Sequence, residues 1–228
     1  MIANKKEFGL GLGMMAAFIV VLVIFFMPVF NGKNGMDYMD NLYNSISKGS
    51  AYSTPALQKL VEPLADKVVT LEFKAENPEQ AAQMIPLFAG AGVEVSTDAE
   101  KVTVSGSLGK ILAEAVADSD AMYHNDGASL SGRYGYDERL AMYNWYVALK
   151  GADKSLTKQK LFDASKTLGT VLAKGVETSY NYYKIVPEHI TDRWGVVSFS
   201  LIFYVIYTMW YGYAIMFMFE GWGLKLSH

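Results

Sequence analysis

The sequence predicts a membrane protein with two transmembrane α-helices, N- and C-terminal, flanking an extracytoplasmic α+β domain. Three observations predict it. Residues 8–30 (FGLGLGMMAAFIVVLVIFFMPVF) and 194–219 are apolar and carry no charge. The segment between them switches between strand-like and helix-like periodicity in the order β-α-β-β-α. The few charges outside the two runs are more basic than those between them. The expected organisation is a short cytoplasmic N-terminus (1–7), span 1 (8–30), the extracytoplasmic domain (31–193), span 2 (194–219) and a short cytoplasmic tail (220–228).

Each apolar run exceeds the roughly 20 residues that a helix needs to cross a hydrocarbon core of about 30 Å. Backbone amides find no water there, so both runs are expected to be helical. Lys5 and Lys6 could open a cleaved secretory signal. The apolar run is longer than the usual h-region of about 7–15 residues, however, and no small-x-small site follows MPVFNG, so it reads as an anchor. Of the 20 basic and 23 acidic residues, all but Lys5, Lys6, Lys225, Glu7 and Glu220 lie between the spans, which leaves that segment net acidic. The positive-inside rule therefore places both termini in the cytoplasm of a bacterial inner membrane and residues 31–193 in the periplasm, with His189 and Arg193 pulling the other way.

Within 31–193, MDYMDNLYNSI spaces Met36, Met39, Tyr43 and Ile46 as a helix. TPALQKLVEPLADK follows, with Thr54 as its expected N-cap and Pro55 at the first helical position. KVVTLEFK alternates Val69, Leu71 and Phe73 as a strand. NPEQAAQMIPLFAGAG reads as a helix capped by Asn77, started by Pro78 and stopped at Gly90 or Gly92. VEVSTDAEKVTVSGS is a hairpin with Val93 and Val95 against Val102 and Val104. LGKILAEAVADSDAMY is helical, and HNDGASLSGRYGYD (124–137) is expected to be a glycine-rich loop. Two further helices complete the domain, DERLAMYNWYVALKG and a long one from about Leu156 to Ile185 capped by Asp153 or Ser155.

The chemistry-bearing residues are few. With no cysteine, the chain has no disulfide, thiolate zinc site, iron–sulfur ligand or C-x-x-C-H haem motif. His124 lies near Asp118, Asp120 and Asp126, a set that could suit a hard metal, but the EF-hand pattern fails and a helix end running into a polar turn is the simpler reading. Met36 and Met39 could offer two soft ligands, although Met at i, i+3 more often packs a helix face. Neither span holds a histidine for a b-type haem. No nucleotide, hydrolase or zincin motif occurs, and the acidic domain disfavours nucleic acid. The expectation is a non-enzyme with no catalytic or metal-binding residues and no cofactor of its own.

The spans carry the more telling pattern. Gly9, Gly13 and Ala17 recur every four residues, the small-xxx-small spacing that admits a close helix neighbour. Tyr204, Tyr207 and Tyr211 form one stripe beside Thr208. Trp194 and Trp222 lie 28 positions apart, about 42 Å at helical rise, and are expected to anchor at the two membrane interfaces. Phenols then fall near the bilayer centre, where an unpaired hydroxyl costs about 1–3 kcal/mol. The stripe is therefore expected to pack on another protein's helices, or to line a quinone pocket shared with it. Residues 220–228 are too short for a sensor's output module.

The layout resembles that of small accessory subunits of bacterial energy-converting membrane complexes, a likeness of architecture that carries no motif. It implies a non-catalytic subunit of a respiratory or electron-transfer complex. Such a subunit would dock through its spans on other integral membrane subunits, with the lipid bilayer around them, and brace an extracytoplasmic redox subunit. YNYYK (Tyr180, Tyr182, Tyr183) and RYGY (Arg133, Tyr134, Tyr136) have the composition of protein contacts. The alternative is a membrane-tethered extracytoplasmic binding module or assembly factor.

Overall fold

The computed structural model describes residues 2–224, so the reading placed on Lys225 falls outside the described residues. Two compact units emerge. One comprises the residues up to Gly49 and from Pro187 onward, and the other is Ser50–Val186.

The first unit is built on two long apolar helices, α1 (Lys5–Phe26) and α10 (Ile190–Trp222), with α2 (Gly35–Ser50) between them in sequence. Both α1 and α10 are long and apolar enough to cross a membrane. Their ends differ from the ends expected. Helix α1 starts earlier, at Lys5, because the Asn4 side chain accepts from the Lys6 and Glu7 amides. It stops at Phe26, because Pro28 disfavours helical geometry in the residue before it. Helix α10 begins at Ile190, ahead of Trp194, and its 33 residues reach about 50 Å.

The pair is antiparallel. The amides of Ala3 and Asn4 both donate to the Gly221 carbonyl, at 3.0 and 2.9 Å, so the start of α1 is tied to the end of α10. At the other end α2 is fastened to α10 by Tyr43 Oη and Ser200 Oγ, 2.6 Å apart, and by the Glu188 amide donating to the Ser45 carbonyl. Arg193 grips Glu188 through two parallel bonds of 2.8 and 3.1 Å.

The second unit is mostly helical and carries one small antiparallel sheet, β1 (Val68–Lys74), β2 (Glu94–Asp98) and β3 (Lys101–Ser107), in the order β1-β3-β2. The register pairs Leu71 with Val104 and Phe73 with Val102 across β1–β3, and Val95 with Val104 across β2–β3. Val93 lies just outside β2. Alternation on β1 does what the sequence implied: Val69, Leu71 and Phe73 are buried while their neighbours are exposed. Helices α4 (Pro78–Ala89) and α5 (Leu108–Tyr123) complete the β-α-β-β-α order, with Asn77 accepting from the Gln80 amide as its cap.

Several expectations fail around this unit, each for a local reason. Helix α3 (Thr54–Val61) is preceded by Ser53 at its N-cap position, so Thr54 is already its first residue. The expected loop 124–137 contains α6 (Gly127–Tyr134), because Asp126 accepts from the Ser129 amide and starts a helix there, which ends at Gly135 in left-handed geometry. Helix α7 (Glu138–Lys158) runs through Gly151 instead of stopping. A Cβ at position 151 would collide with Phe73 of β1, so this glycine is a contact point between helix and sheet.

Ser155 consequently lies within α7 and caps no helix. Its Oγ accepts from the Glu72 amide at 3.1 Å, and Gln159 Nε2 donates to the Thr70 carbonyl at 2.8 Å. One side chain of α7 and that of Gln159, which caps its end, thus occupy the free edge of β1, which would otherwise be open to another strand. The long final helix begins only at Phe162, as α8 (Phe162–Val171), and continues through a π-helical turn (Leu172–Glu177) into α9 (Thr178–Asn181).

Candidate functional sites

Three features qualify as sites: the faces of the apolar helix pair, a buried carboxylate in the second unit, and a tyrosine-lined groove on that unit.

In the helix pair, close approach is made by glycines other than those the spacing singled out. A Cβ on Gly11 would lie 2.6 Å from the Met218 nitrogen and 2.8 Å from the Ala214 carbonyl, and one on Gly221 would strike the Phe8 backbone. Gly9 and Gly13 have nothing within 4 Å of that position, and together with Ala17 they lie on an exposed face. Phe18 fills the seam instead, stacked 4.3 Å from Tyr207 and 5.1 Å from Tyr211, with Trp210 edge-on at 6.4 Å. Gly11 and Phe18 were legible only as members of an apolar run, and Gly221 only as part of the short tail. Nothing in the spacing sets Gly11 apart from Gly9 and Gly13, because which face turns inward is decided by the other helix.

The tyrosine stripe divides accordingly. Tyr207 faces α1, and its hydroxyl is buried with no hydrogen-bond partner among the described residues. Thr208 Oγ1 donates back to the Tyr204 and Val205 carbonyls, each at 2.9 Å, so its polar need is met within its own helix. Tyr204, Tyr211 and Tyr213 remain 66%, 45% and 47% exposed. Trp194 and Trp222 are also exposed, near opposite ends of α10.

The buried carboxylate is Asp118, 1% exposed in the middle of α5. Its Oδ1 accepts from Arg133 Nη1 at 2.8 Å, and its Oδ2 accepts from Trp145 Nε1 at 2.7 Å and from the Tyr134 hydroxyl. These donors come from α6 and α7, so one side chain ties three helices together. Burial pushes the Asp118 carboxyl above the usual carboxylate range, against the Tyr134, Trp145 and Arg133 contacts that pull it down. Burial and the adjacent carboxylate raise Tyr134 as well. A carboxylate enclosed by three internal donors presents no face to a substrate and serves as a structural tie. RYGY is therefore partly turned inward: Tyr134 is buried on Asp118, Arg133 reaches the same carboxylate from an exposed position, and the Tyr136 hydroxyl donates to the Gln83 carbonyl at 2.7 Å.

The same geometry separates the residues clustered around His124. Asp118 points into the core, and Asp126 caps α6. Asp120 accepts from the Tyr52 hydroxyl at 3.0 Å, and His124 Nδ1 meets the Asp120 carbonyl at 2.9 Å. No group of three or more His, Cys, Asp or Glu able to hold a metal ion occurs among the described residues.

The third feature is a groove of about 300 Å³ lined by Tyr143, Tyr146, Val176, Glu177, Tyr180 and Asn181. Arg139, Tyr143, Tyr146 and Lys150 form one stripe along α7, and the facing wall is the π-helical turn. Such turns are frequent at functional positions. The Tyr143 and Tyr146 rings stack 6.1 Å apart, and the Tyr143 hydroxyl donates to Glu76 at 2.6 Å. Lys150 donates to the Tyr146 hydroxyl at 2.8 Å, and Arg139 lies over the Tyr180 and Tyr183 rings. Of the three YNYYK tyrosines, Tyr180 lines the groove, beside Asn181. Tyr183 is buried and donates to Glu138 at 2.8 Å; burial and that carboxylate push its phenol up to about 12.

No family model, curated protein or solved structure matches this chain.

Proposed function

We propose that this chain is a non-catalytic accessory subunit of a multi-subunit membrane complex, held in a bacterial inner membrane by α1 and α10. The observation that carries the proposal is the set of exposed phenols on α10. Tyr204 and Tyr213 leave large amphipathic rings open within a helix long enough to span a bilayer, and Tyr211 stays partly open beside Phe18. A phenol prefers the membrane interface to hydrocarbon. At mid-span it is accommodated by hydrogen-bond acceptors on another protein's helices. The exposed Gly9–Gly13–Ala17 face of α1 offers a second close-packing surface to the same neighbours. The electron-transfer character of the complex rests on likeness of layout, and in that reading the second unit braces an extracytoplasmic redox subunit.

The test is purification of the tagged chain in a gentle detergent, followed by mass spectrometry and a visible absorption spectrum. Integral membrane partners carrying haem or iron–sulfur absorption are expected. A colourless chain recovered alone, under conditions that keep known membrane complexes intact, contradicts the proposal.

One observation favours a second reading, a tethered binding module or assembly factor. The groove of Tyr143, Tyr146 and Tyr180 has the Tyr/Arg character of protein-contact surfaces and belongs wholly to the second unit. Recovery of an extracytoplasmic client without any membrane subunit would establish that reading.

A further inference from the structure

Another concavity of the second unit lies away from both the tyrosine groove and the Asp118 tie. It is a groove of about 740 Å³ where α7 crosses the edge of β1. Its walls carry four lysines, Lys74 and Lys101 from the sheet and Lys154 and Lys158 from α7, against a single carboxylate, Glu72. That carboxylate is already engaged: Lys101 Nζ lies 2.9 Å from Glu72 Oε2. Among the described residues no salt bridge joins Lys74, Lys154 or Lys158 to an acidic group.

The concentration of positive charge runs against the composition of its surroundings, since the chain as a whole is acidic. Three unpaired ammonium groups around one concavity repel one another, and a bound anion removes that cost. The spacing is fixed rather than accidental. Lys154 and Lys158 sit four residues apart on one face of α7, and Gly151 lets that helix lie directly on Phe73, which brings the α7 lysines beside Lys74.

The form of the ligand follows from the edge of β1. Ser155 and Gln159 already occupy the Glu72 amide and the Thr70 carbonyl, so a partner cannot pair there as an added strand. Recognition has to come from the lysine side chains. Each is a compact, flexible point charge suited to scattered carboxylates and not to a planar, bidentate fit.

We propose that this groove docks an acidic, Asp/Glu-rich segment of a protein partner, with Lys74, Lys154 and Lys158 as the contacts that select it. The inference goes beyond the subunit reading. It concerns a surface of the second unit alone, and its failure leaves the membrane proposal untouched.

The experiment is fluorescence anisotropy on the purified full-length chain in detergent, with a labelled peptide of alternating Glu and Ser as the probe. Saturable binding is expected, weakening steeply between about 20 and 300 mM salt as screening shortens the reach of the charges. The triple reversal Lys74→Glu, Lys154→Glu, Lys158→Glu should weaken it at least about tenfold, and the milder Lys→Gln triple by less. A Lys59→Glu, Lys110→Glu control, on a separate surface lined by Pro55 and Ala113, should bind as the unaltered chain does. Circular dichroism establishes that each variant is folded, and the Gln triple supplies the comparison if the reversal misfolds. Absence of saturable binding, equal loss in the control, or equally tight binding of a single-stranded oligonucleotide overturns the proposal. The last outcome would mark a general polyanion surface.

Discussion

The two units place their apolar residues in opposite ways. In the second, Val102, Val104, Ile111 and Leu112 are fully buried in a core formed by the sheet and its helices, and the buried carboxylate among them has three donors. In the first, Leu10, Val20, Ile202 and Tyr204 lie open around a helix pair whose own seam is narrow. Water drives the burial in the second unit, because removing apolar surface from water is what folds it. The open apolar faces of the first unit have the chemistry that suits lipid or other helices. The contrast predicts that the units respond to different perturbations, the second to a lost polar partner and the first to a gained methyl group.

The largest effect belongs to Asp118. Replacing it with Ala leaves Arg133, Tyr134 and Trp145 without their common acceptor; Arg133 is half exposed and regains water, so the expected cost is about 1–3 kcal/mol for each of the two buried donors left unsatisfied. Denaturant unfolding of the solubilised chain reads it. A loss below about 1 kcal/mol would mean that the tie is dispensable.

Next is Gly11→Val. Its side chain would meet the α10 backbone at Ala214 and Met218, at an overpacking cost of about 1–3 kcal/mol. Gly9→Val and Gly13→Val should leave the pair intact and weaken only its association with other subunits. Disulfide formation between single cysteines placed on α1 and α10 separates the two outcomes, against the background of a chain with no native cysteine. Equal disruption by all three variants would refute the assignment of faces.

Ser155→Ala should cost about 1 kcal/mol through the lost bond to the Glu72 amide. Hydrogen exchange at that amide would rise, while exchange at β3 would not.

The smallest effect is alkaline. Tyr183 retains its proton in the folded chain up to about 12, whereas the unfolded phenol titrates near 10.0. The folded state therefore binds more protons between these values. The contribution of Tyr183 to stability is complete below the unfolded value and is lost as pH rises through about 12. An ultraviolet titration should lose one of its late-titrating phenols in Tyr183→Phe, while Tyr134, also raised, still titrates late.

The legible parts of this molecule are those fixed by local pattern. Alternation in VVTLEFK, the Asn77–Pro78 start of α4 and the two charge-free runs each announce an element through residues adjacent in sequence. The misread parts depend on distant partners. Gly151 looks like a helix stop until Phe73 is seen against it, and Ser155 looks like a cap until it is found on the Glu72 amide. RYGY has the composition of a contact surface, and Asp118, on another helix, buries Tyr134 while Arg133 stays half exposed. The same limit governed the spans. Periodicity put Gly9, Gly13 and Ala17 on one face of α1, but only α10 determines that the seam runs through Gly11 and Phe18.

The most direct test of the subunit account is site-specific photo-crosslinking in native membranes, with the reactive group placed at position 204 or 213, two exposed positions of α10. The account predicts a discrete adduct to an integral membrane protein from at least one of these positions, and none from position 207, whose side chain faces α1. Adducts to lipid alone at both exposed positions would contradict it.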